Sequence, residues 1–159
     1  MVKTEKATFA AGCFWGVQYV FDMTPGVIST LVGYTGCENE YAKVTYGQVC
    51  SGDTGCAESV EVTFDPKKVS YGKLLDIFWK NHNPTTMNMQ GPDIGSQYRS
   101  AVFYHSEKQN KTALASKEKA QKRFADKIVT EIKKAEKFYP AEEYHQKYYK
   151  SHNLTCHVY

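Results

Sequence analysis

The sequence predicts a single domain of mixed helix and strand, α/β or α+β, on three observations. Polar–apolar alternation recurs along the chain, around Thr4–Ala11 and again in "ESVEVTF". Between these strand signals lie segments whose apolar residues return at helical spacing, such as Phe14, Val17 and Phe21. No linker, internal repeat or low-complexity block divides the 159 residues, a length that suits one domain with a real core.

Each element follows from local chemistry. Residues 4–11 alternate and read as a strand, and the spacing from Phe14 then predicts a helix that Pro25-Gly26 ends. "VISTLVGY" is β-branched and predicts a second strand. A stretch rich in glycine and cysteine runs from Gly33 to Gly55, with a short helix expected around Tyr46–Cys50. "ESVEVTF" places Val60, Val62 and Phe64 on one strand face and Ser59, Glu61 and Thr63 on the other. Ser70 is positioned to cap a helix carrying Leu74, Leu75 and Phe78. "NHNPTTMNMQGPDIGSQ" has no period and reads as a long functional loop. "YRSAVFYH" restores a strand, and Ser106 to Gln109 has the capping-box pattern of a long helix through Ala113, Leu114, Ala120 and Phe124. "KIVTEIKKAEKF" predicts a further strand and "AEEYHQKYYK" a short helix. A loop-rich tail is expected from about residue 151, within one catalytic domain spanning 1–159.

Charge and cysteine usage narrow the function. The net charge of +3 is mild, and the lysines from Lys108 to Lys137 are interleaved with Glu118, Asp126, Glu131 and Glu136. That is a solvated helical face, not a nucleic-acid surface. "MVKTEKATF" lacks the apolar core of a signal peptide, and no apolar run is long enough to span a bilayer. The expectation is a cytoplasmic protein with no membrane partner. Five cysteines (Cys13, Cys37, Cys50, Cys56 and Cys156) at irregular spacing do not read as a secreted disulfide framework; thiol chemistry or burial is expected.

Four features could carry chemistry. Cys13 precedes the first predicted helix, whose free N–H groups favour a thiolate and lower its pKa; the plainer reading is a small buried cysteine under Phe14. Glu58 shares parity with Val60, Val62 and Phe64, so burial would raise its pKa and make it a general acid. The alternative is a strand that starts after Ala57 and leaves Glu58 in solvent. Tyr46 and Tyr98 sit in polar, glycine-rich surroundings where a phenol can donate to developing charge, although most of the twelve tyrosines will be packing residues. Cys156, close to the chain's end, could swing to another sulfur. A zinc site from Cys50, Cys56, Cys156 and His157 has no C-x-x-C pair to support it.

The blocks "GCFWGVQ", "GVISTLVGYTG", "TYGQVCSGDTGCAESVEVTFDP", "LLDIFWKNHNPTT", "GSQYRSAVFY" and "AEEYHQKYY" together resemble peptide methionine sulfoxide reductase A, from about Phe9 to Cys156. The resemblance implies a mixed sheet of ferredoxin-like α+β type and reduction of the S epimer of methionine sulfoxide, free or in proteins. It implies Cys13 as nucleophile, Glu58 as acid, Tyr46 and Tyr98 as donors to the sulfoxide oxygen, and Phe14 and Trp15 as the methyl pocket. It further implies Asp93 as a substrate-orienting carboxylate, Cys156 as resolving cysteine, thioredoxin as reductant, and no cofactor or metal. A monomer is expected. The chain departs from the pattern at Cys56, where histidine is common, at Asn83, where aspartate is usual, and at Cys37, where glycine is frequent.

Two other classes compete. A cysteine hydrolase would use Cys13 with His82 or His145 as base, but it shows no oxyanion arrangement and leaves an apolar-face glutamate without a use. A thiol- or zinc-based sensing module would bind partners without turnover. Sulfoxide-dependent NADPH oxidation through thioredoxin and its reductase, lost in Cys13→Ser, separates the three.

Overall fold

The structure, a computed structural model, describes residues 3–148. Its elements run β1 (Glu5–Ala11), α1 (Phe14–Asp22), β2 (Val27–Thr35), α2 (Tyr46–Cys50), β3 (Ala57–Phe64) and α3 (Tyr71–Lys80). They continue with β4 (Met89–Gln90), β5 (Asp93–Ile94), β6 (Ser100–Tyr104), α4 (Glu107–Gln121), β7 (Glu131–Lys134) and β8 (Tyr139–Pro140). Among the described residues the main sheet has the order β7-β6-β1-β3-β2-β8. Its pairings are antiparallel except β6 with β7, which makes the sheet mixed. Stripped to β1, α1, β2, β3, α3 and β6, the chain is a β-α-β-β-α-β unit with the first strand between the last and the third. That is the ferredoxin-like α+β arrangement.

The large apolar residues collect on one face of the sheet. Phe9, Val60, Val62 and Phe64 meet Phe21 of α1 and Leu74, Leu75 and Phe78 of α3, all fully or almost fully buried. Phe9 stacks on Phe21 at 5.0 Å and on Phe78 at 5.3 Å between ring centres. Ala10, Ala57, Ala101 and Phe103 form a thinner second cluster.

The long helix starts where the sequence places it, with the Ser106 hydroxyl accepting from the Gln109 N–H. The return half of that box is displaced by one residue, because Gln109 Oε1 accepts from His105 N–H. The helix stops at Gln121, short of Phe124, since the Gln121 side chain bonds the Phe124 and Asp126 carbonyls and the Ile128 N–H. Ser70 caps α3 as expected.

Three expectations need correction. The period-free stretch after Lys80 contains a small β4–β5 hairpin and a 3-10 turn at Ser96–Tyr98. The strand in "KIVTEIKKAEKF" is confined to Glu131–Lys134. "AEEYHQKYYK" forms a 3-10 turn at Glu143–His145, and of its described residues Tyr148 alone is α-helical. Its side chains serve tertiary partners instead: Gln146 accepts from Val32 N–H at 3.0 Å and donates to Val32 O at 2.9 Å, substituting for a strand along the edge of β2.

Candidate active site

Gly12, at φ +94, supplies the left-handed turn that takes β1 directly into α1. Cys13 is thereby the N-cap of α1, and it makes no side-chain cap hydrogen bond. The first helical N–H, from Phe14, donates to Glu58 Oε1 at 3.3 Å. One helix terminus therefore addresses both groups that the sequence singles out.

Glu58 lies within β3, opposite Tyr34, and is 2% exposed, so its parity does place the carboxyl inside. Burial pushes its pKa up to about 8, with the Asp93 charge adding to the rise and the Phe14 N–H and Gln97 amide opposing it. The second oxygen, Oε2, is buried without a hydrogen bond. Near neutral pH Glu58 is an acid holding a proton.

Cys13 corrects the thiolate expectation. The Trp15 and Gly16 N–H groups do favour the anion, but burial, then the charge of Glu58, then that of Asp93 outweigh them and push the thiol up to about 12. Helix dipoles act through partial charges of about half a unit, whereas removing a sulfur anion from water acts on a full one. At rest Cys13 is a thiol beside a protonated carboxyl.

Tyr46 opens α2, whose N-terminus has a full capping box between Thr45 and Gln48. Its N–H donates to Glu142 Oε2 at 3.2 Å, and its phenol is hydrogen-bonded with Cys50 and Tyr98. Burial first, and Glu58 among the further causes, raise the pKa of both phenols, so both remain donors. Asp93, on β5, is half-buried and close enough to act on Cys13, Glu58 and Tyr98.

Phe14 is 1% exposed, packed between Tyr34 and His145, while Trp15 is half-buried. The Trp15 indole donates to His145 Nδ1 at 3.0 Å and stacks on Tyr148 at 3.8 Å. The sequence reading missed four residues that shape this region: Gln97, Glu142, His145 as an indole anchor, and Tyr148. Gln97 donates to Cys50 Sγ at 3.4 Å, and Glu142 accepts from Tyr34 Oη at 3.1 Å as well as from Tyr46. The blocks "GSQYRSAVFY" and "AEEYHQKYY" contain them, but a helical reading of the second hid which side chains turn inward.

The structure removes the hydrolase bases. His82 Nδ1 donates to Phe78 O, and Nε2 accepts from Ser100 Oγ at 2.7 Å. Its burial pushes the pKa down to about 4. His145 Nδ1 accepts from the Trp15 indole, which puts the proton of the neutral ring on the buried Nε2 and leaves neither nitrogen as a free base. Cys37 and Cys56 are joined in a disulfide, so one pair does form, and Cys56 is not a thiolate for zinc. Cys13 and Cys50 are the free cysteines among the described residues; Cys156 and His157 lie outside them.

A buried acid, a thiol at a helix end and two neutral phenols thus lie near enough to act on one another's charge. The family model for peptide methionine sulfoxide reductase matches residues 5–159. The chain belongs to this family. A relative from Methanosarcina acetivorans, called peptide methionine sulfoxide reductase MsrA, is 58% identical over 147 residues, covering 91% of this chain and 77% of its own. The reduced form of Mxr1 from Saccharomyces cerevisiae superposes with a TM-score of 0.91 at 38% identity, over 99% of this chain and 92% of that one. Mxr1 has also been solved in complex with Trx2; that form matches with a TM-score of 0.65 at 29% identity, over 92% of this chain and 85% of that one. The protein is thus an oxidoreductase that reduces methionine sulfoxide, a peptide-methionine (S)-S-oxide reductase.

Proposed function

We propose that Cys13 attacks the sulfoxide sulfur while Glu58 protonates the departing oxygen. The observation that carries this is the shared helix end: Phe14 N–H on Glu58 Oε1, with the buried Oε2 left for the substrate oxygen. As Oε2 gives up its proton, the proton leaving Cys13 restores Glu58, so neither group must begin as an anion. That leaves a Cys13–methionine sulfonium; the released hydroxide attacks its Cys13 sulfur, the S–S electron pair leaves with methionine, and Cys13 becomes a sulfenic acid. The Tyr46 and Tyr98 phenols hydrogen-bond the oxygen, Trp15 with the edge of Phe14 accepts the methyl group, and Asp93 orients the substrate's polar end. Two electrons come from sulfur, and the reading uses no metal or organic cofactor.

Cys156 then attacks the sulfenic acid, releasing water and closing a Cys13–Cys156 disulfide that thioredoxin opens by exchange. The yeast relative captured with Trx2 supports that reductant. We assign the whole chain, 1–159, to one catalytic domain whose tail from about 151 delivers Cys156, acting as a monomer in the cytoplasm. Among the described residues no helix is long and apolar enough to cross a membrane.

The Cys156→Ser variant tests the resolving step. It should release one equivalent of methionine per enzyme while thioredoxin-driven cycling collapses. Unchanged cycling moves the role to another cysteine, and Cys50 beside Tyr46 and Gln97 is the first to examine.

A further inference from the structure

Loop 38–55 joins β2 to β3 and carries Tyr46, yet its helix α2 has only five residues. A helix that short has almost no stability of its own, so its placement depends on what fixes the loop's two ends. Those ends are held unusually firmly. The β2–β3 ladder closes at Thr35 with Ala57, and just beyond it Cys37 and Cys56 form a disulfide across 19 residues. Inside the loop, Glu38 N–H donates to Thr54 O at 2.9 Å.

A second clamp sits beside the disulfide. The Arg99 guanidinium donates to Gly36 O at 2.8 Å and to Gly55 O at 2.9 Å, the carbonyls immediately preceding the two cysteines. It also donates to Ser96 O at 2.9 Å and pairs with Glu131 at 3.4 Å. Gly36, at φ +69, leaves the room this requires: a Cβ there would come within 3.1 Å of Arg99 Nη2 and 2.7 Å of the Phe103 ring. Arg99 directly follows Tyr98. One guanidinium therefore links the Tyr98 turn to both ends of the Tyr46 loop. Cys56, for its part, immediately precedes β3 and stands two residues before Glu58.

We propose that the Cys37–Cys56 disulfide is a positioning crosslink for the reaction: with Arg99 it fixes the mouth of loop 38–55 so that Tyr46, Tyr98 and Glu58 converge on Cys13, and the chemical step slows when the bond opens. The proposal rests on the roles assigned above to Glu58 and the tyrosines. Cys56 is 1% exposed, but Cys37 is half-buried and borders an open cleft with Asn39, Glu40, Glu136, Lys137 and Tyr139. A dithiol of the class that turnover consumes reaches Cys37. Its thiolate bonds to the Cys37 sulfur, the S–S electron pair leaves on Cys56, and Cys56 takes a proton. The reductant's second thiol then displaces Cys37, leaving two protein thiols and one oxidised reductant. The enzyme's rate is thus coupled to the poise of its own electron supply.

The experiment is single-turnover methionine release with one equivalent of sulfoxide, across pH. Cys37→Ser/Cys56→Ser should slow release about tenfold, the effect of a misplacement well under 1 Å, and should displace the alkaline limb that Glu58 sets. Arg99→Lys should act in the same direction, and adding it to the double variant should cost less than the two effects combined. Wild-type enzyme equilibrated anaerobically in graded dithiol, then desalted, should lose rate in step with the opened fraction read by alkylation and mass; this arm stands even where the double variant does not fold. A double variant with wild-type rate and pH profile, whatever its melting temperature, overturns the proposal, as does a rate indifferent to the opened fraction. Glu58→Gln run alongside separates the two failures: if it too keeps full rate, the site assignment fails and the crosslink's role falls with it.

Discussion

Compare the N-termini of α1 and α4. The longer helix is capped by Ser106, whose hydroxyl takes the Gln109 N–H, and it carries Glu107 in its first turn. The shorter one has Cys13 at the cap, no side-chain cap bond and no acidic residue in its first turn. Its donors turn outward in function: Phe14 N–H serves Glu58, while the Trp15 and Gly16 N–H groups face the Cys13 sulfur. A helix start satisfied by its own sequence is structural. One whose N–H groups serve side chains other than an N-cap acceptor is where anionic charge can be stabilised.

The largest test of that contrast is Cys13→Ser. Methionine release should fall to background, since no sulfur remains to accept oxygen. Serine is also a strong N-cap, so the same variant should gain about 1 kcal/mol, or roughly 2–4 °C in melting temperature. Lost turnover with raised stability, read by activity assay and thermal melt on one sample, marks an end kept uncapped for chemistry. Lost stability would show that the sulfur packs rather than reacts.

Next comes Glu58→Gln, expected to lower the single-turnover rate by roughly 10²–10⁴, the usual worth of a general acid. Because the folded pKa is raised from 4.5 to about 8, the native state holds a proton that the unfolded chain has released between those values. Wild-type stability from this group is therefore full below about pH 4.5 and declines as pH rises toward about 8. Urea melts at both ends of that window should show the decline in wild type and a flatter profile in the variant. The wild-type rate should fall off above about pH 8, as the acid loses its proton.

How far the sequence reveals all this depends on the range of the interaction. Alternation in "ESVEVTF" is local, and it placed β3 and turned Glu58 inward correctly, because side-chain direction along a strand follows from covalent geometry. Caps at Ser70 and Ser106 are equally local. The protonation state of Cys13 is not: it balances nearby N–H groups against burial and the charges of Glu58 and Asp93, brought in from other elements. The Cys37–Cys56 bond joins residues that become neighbours only once β2 and β3 are in register. "AEEYHQ" misled for the same reason, since Glu142, His145 and Gln146 all answer to partners more than ninety residues away. Cys156 lies outside the described residues, so its role stands on the resemblance and the variant proposed for it.

Between the two extremes lies α2, capped by its own sequence yet carrying Tyr46. Thr45→Ala removes the capping box on a five-residue helix, a loss of about 1 kcal/mol. If the whole loss falls on the placement of Tyr46, the single-turnover rate should drop about fivefold. The substrate concentration at half-maximal rate should change little, because Trp15 and Phe14 are untouched. A change confined to stability would assign this cap to the structural class.

The smallest effect belongs to the fully structural end. Ser106→Ala frees the Gln109 N–H and should cost about 1 kcal/mol, a fall of roughly 2–4 °C in melting temperature. Single-turnover rate and its pH profile should match wild type, because α4 packs against α3, β6 and β7 and sends no donor toward Cys13. Part of the loss should be recovered by Ser106→Asp, whose carboxylate accepts the same N–H and adds favourable charge at the helix start. Set against Cys13→Ser, this pair separates two uses of one backbone feature. Adding a cap at α1 raises stability and ends turnover, whereas removing one at α4 lowers stability and leaves turnover intact. A rate change in Ser106→Ala that Ser106→Asp restores would instead mean that α4 transmits its placement to the site through the β6 strand that follows Tyr98 and Arg99.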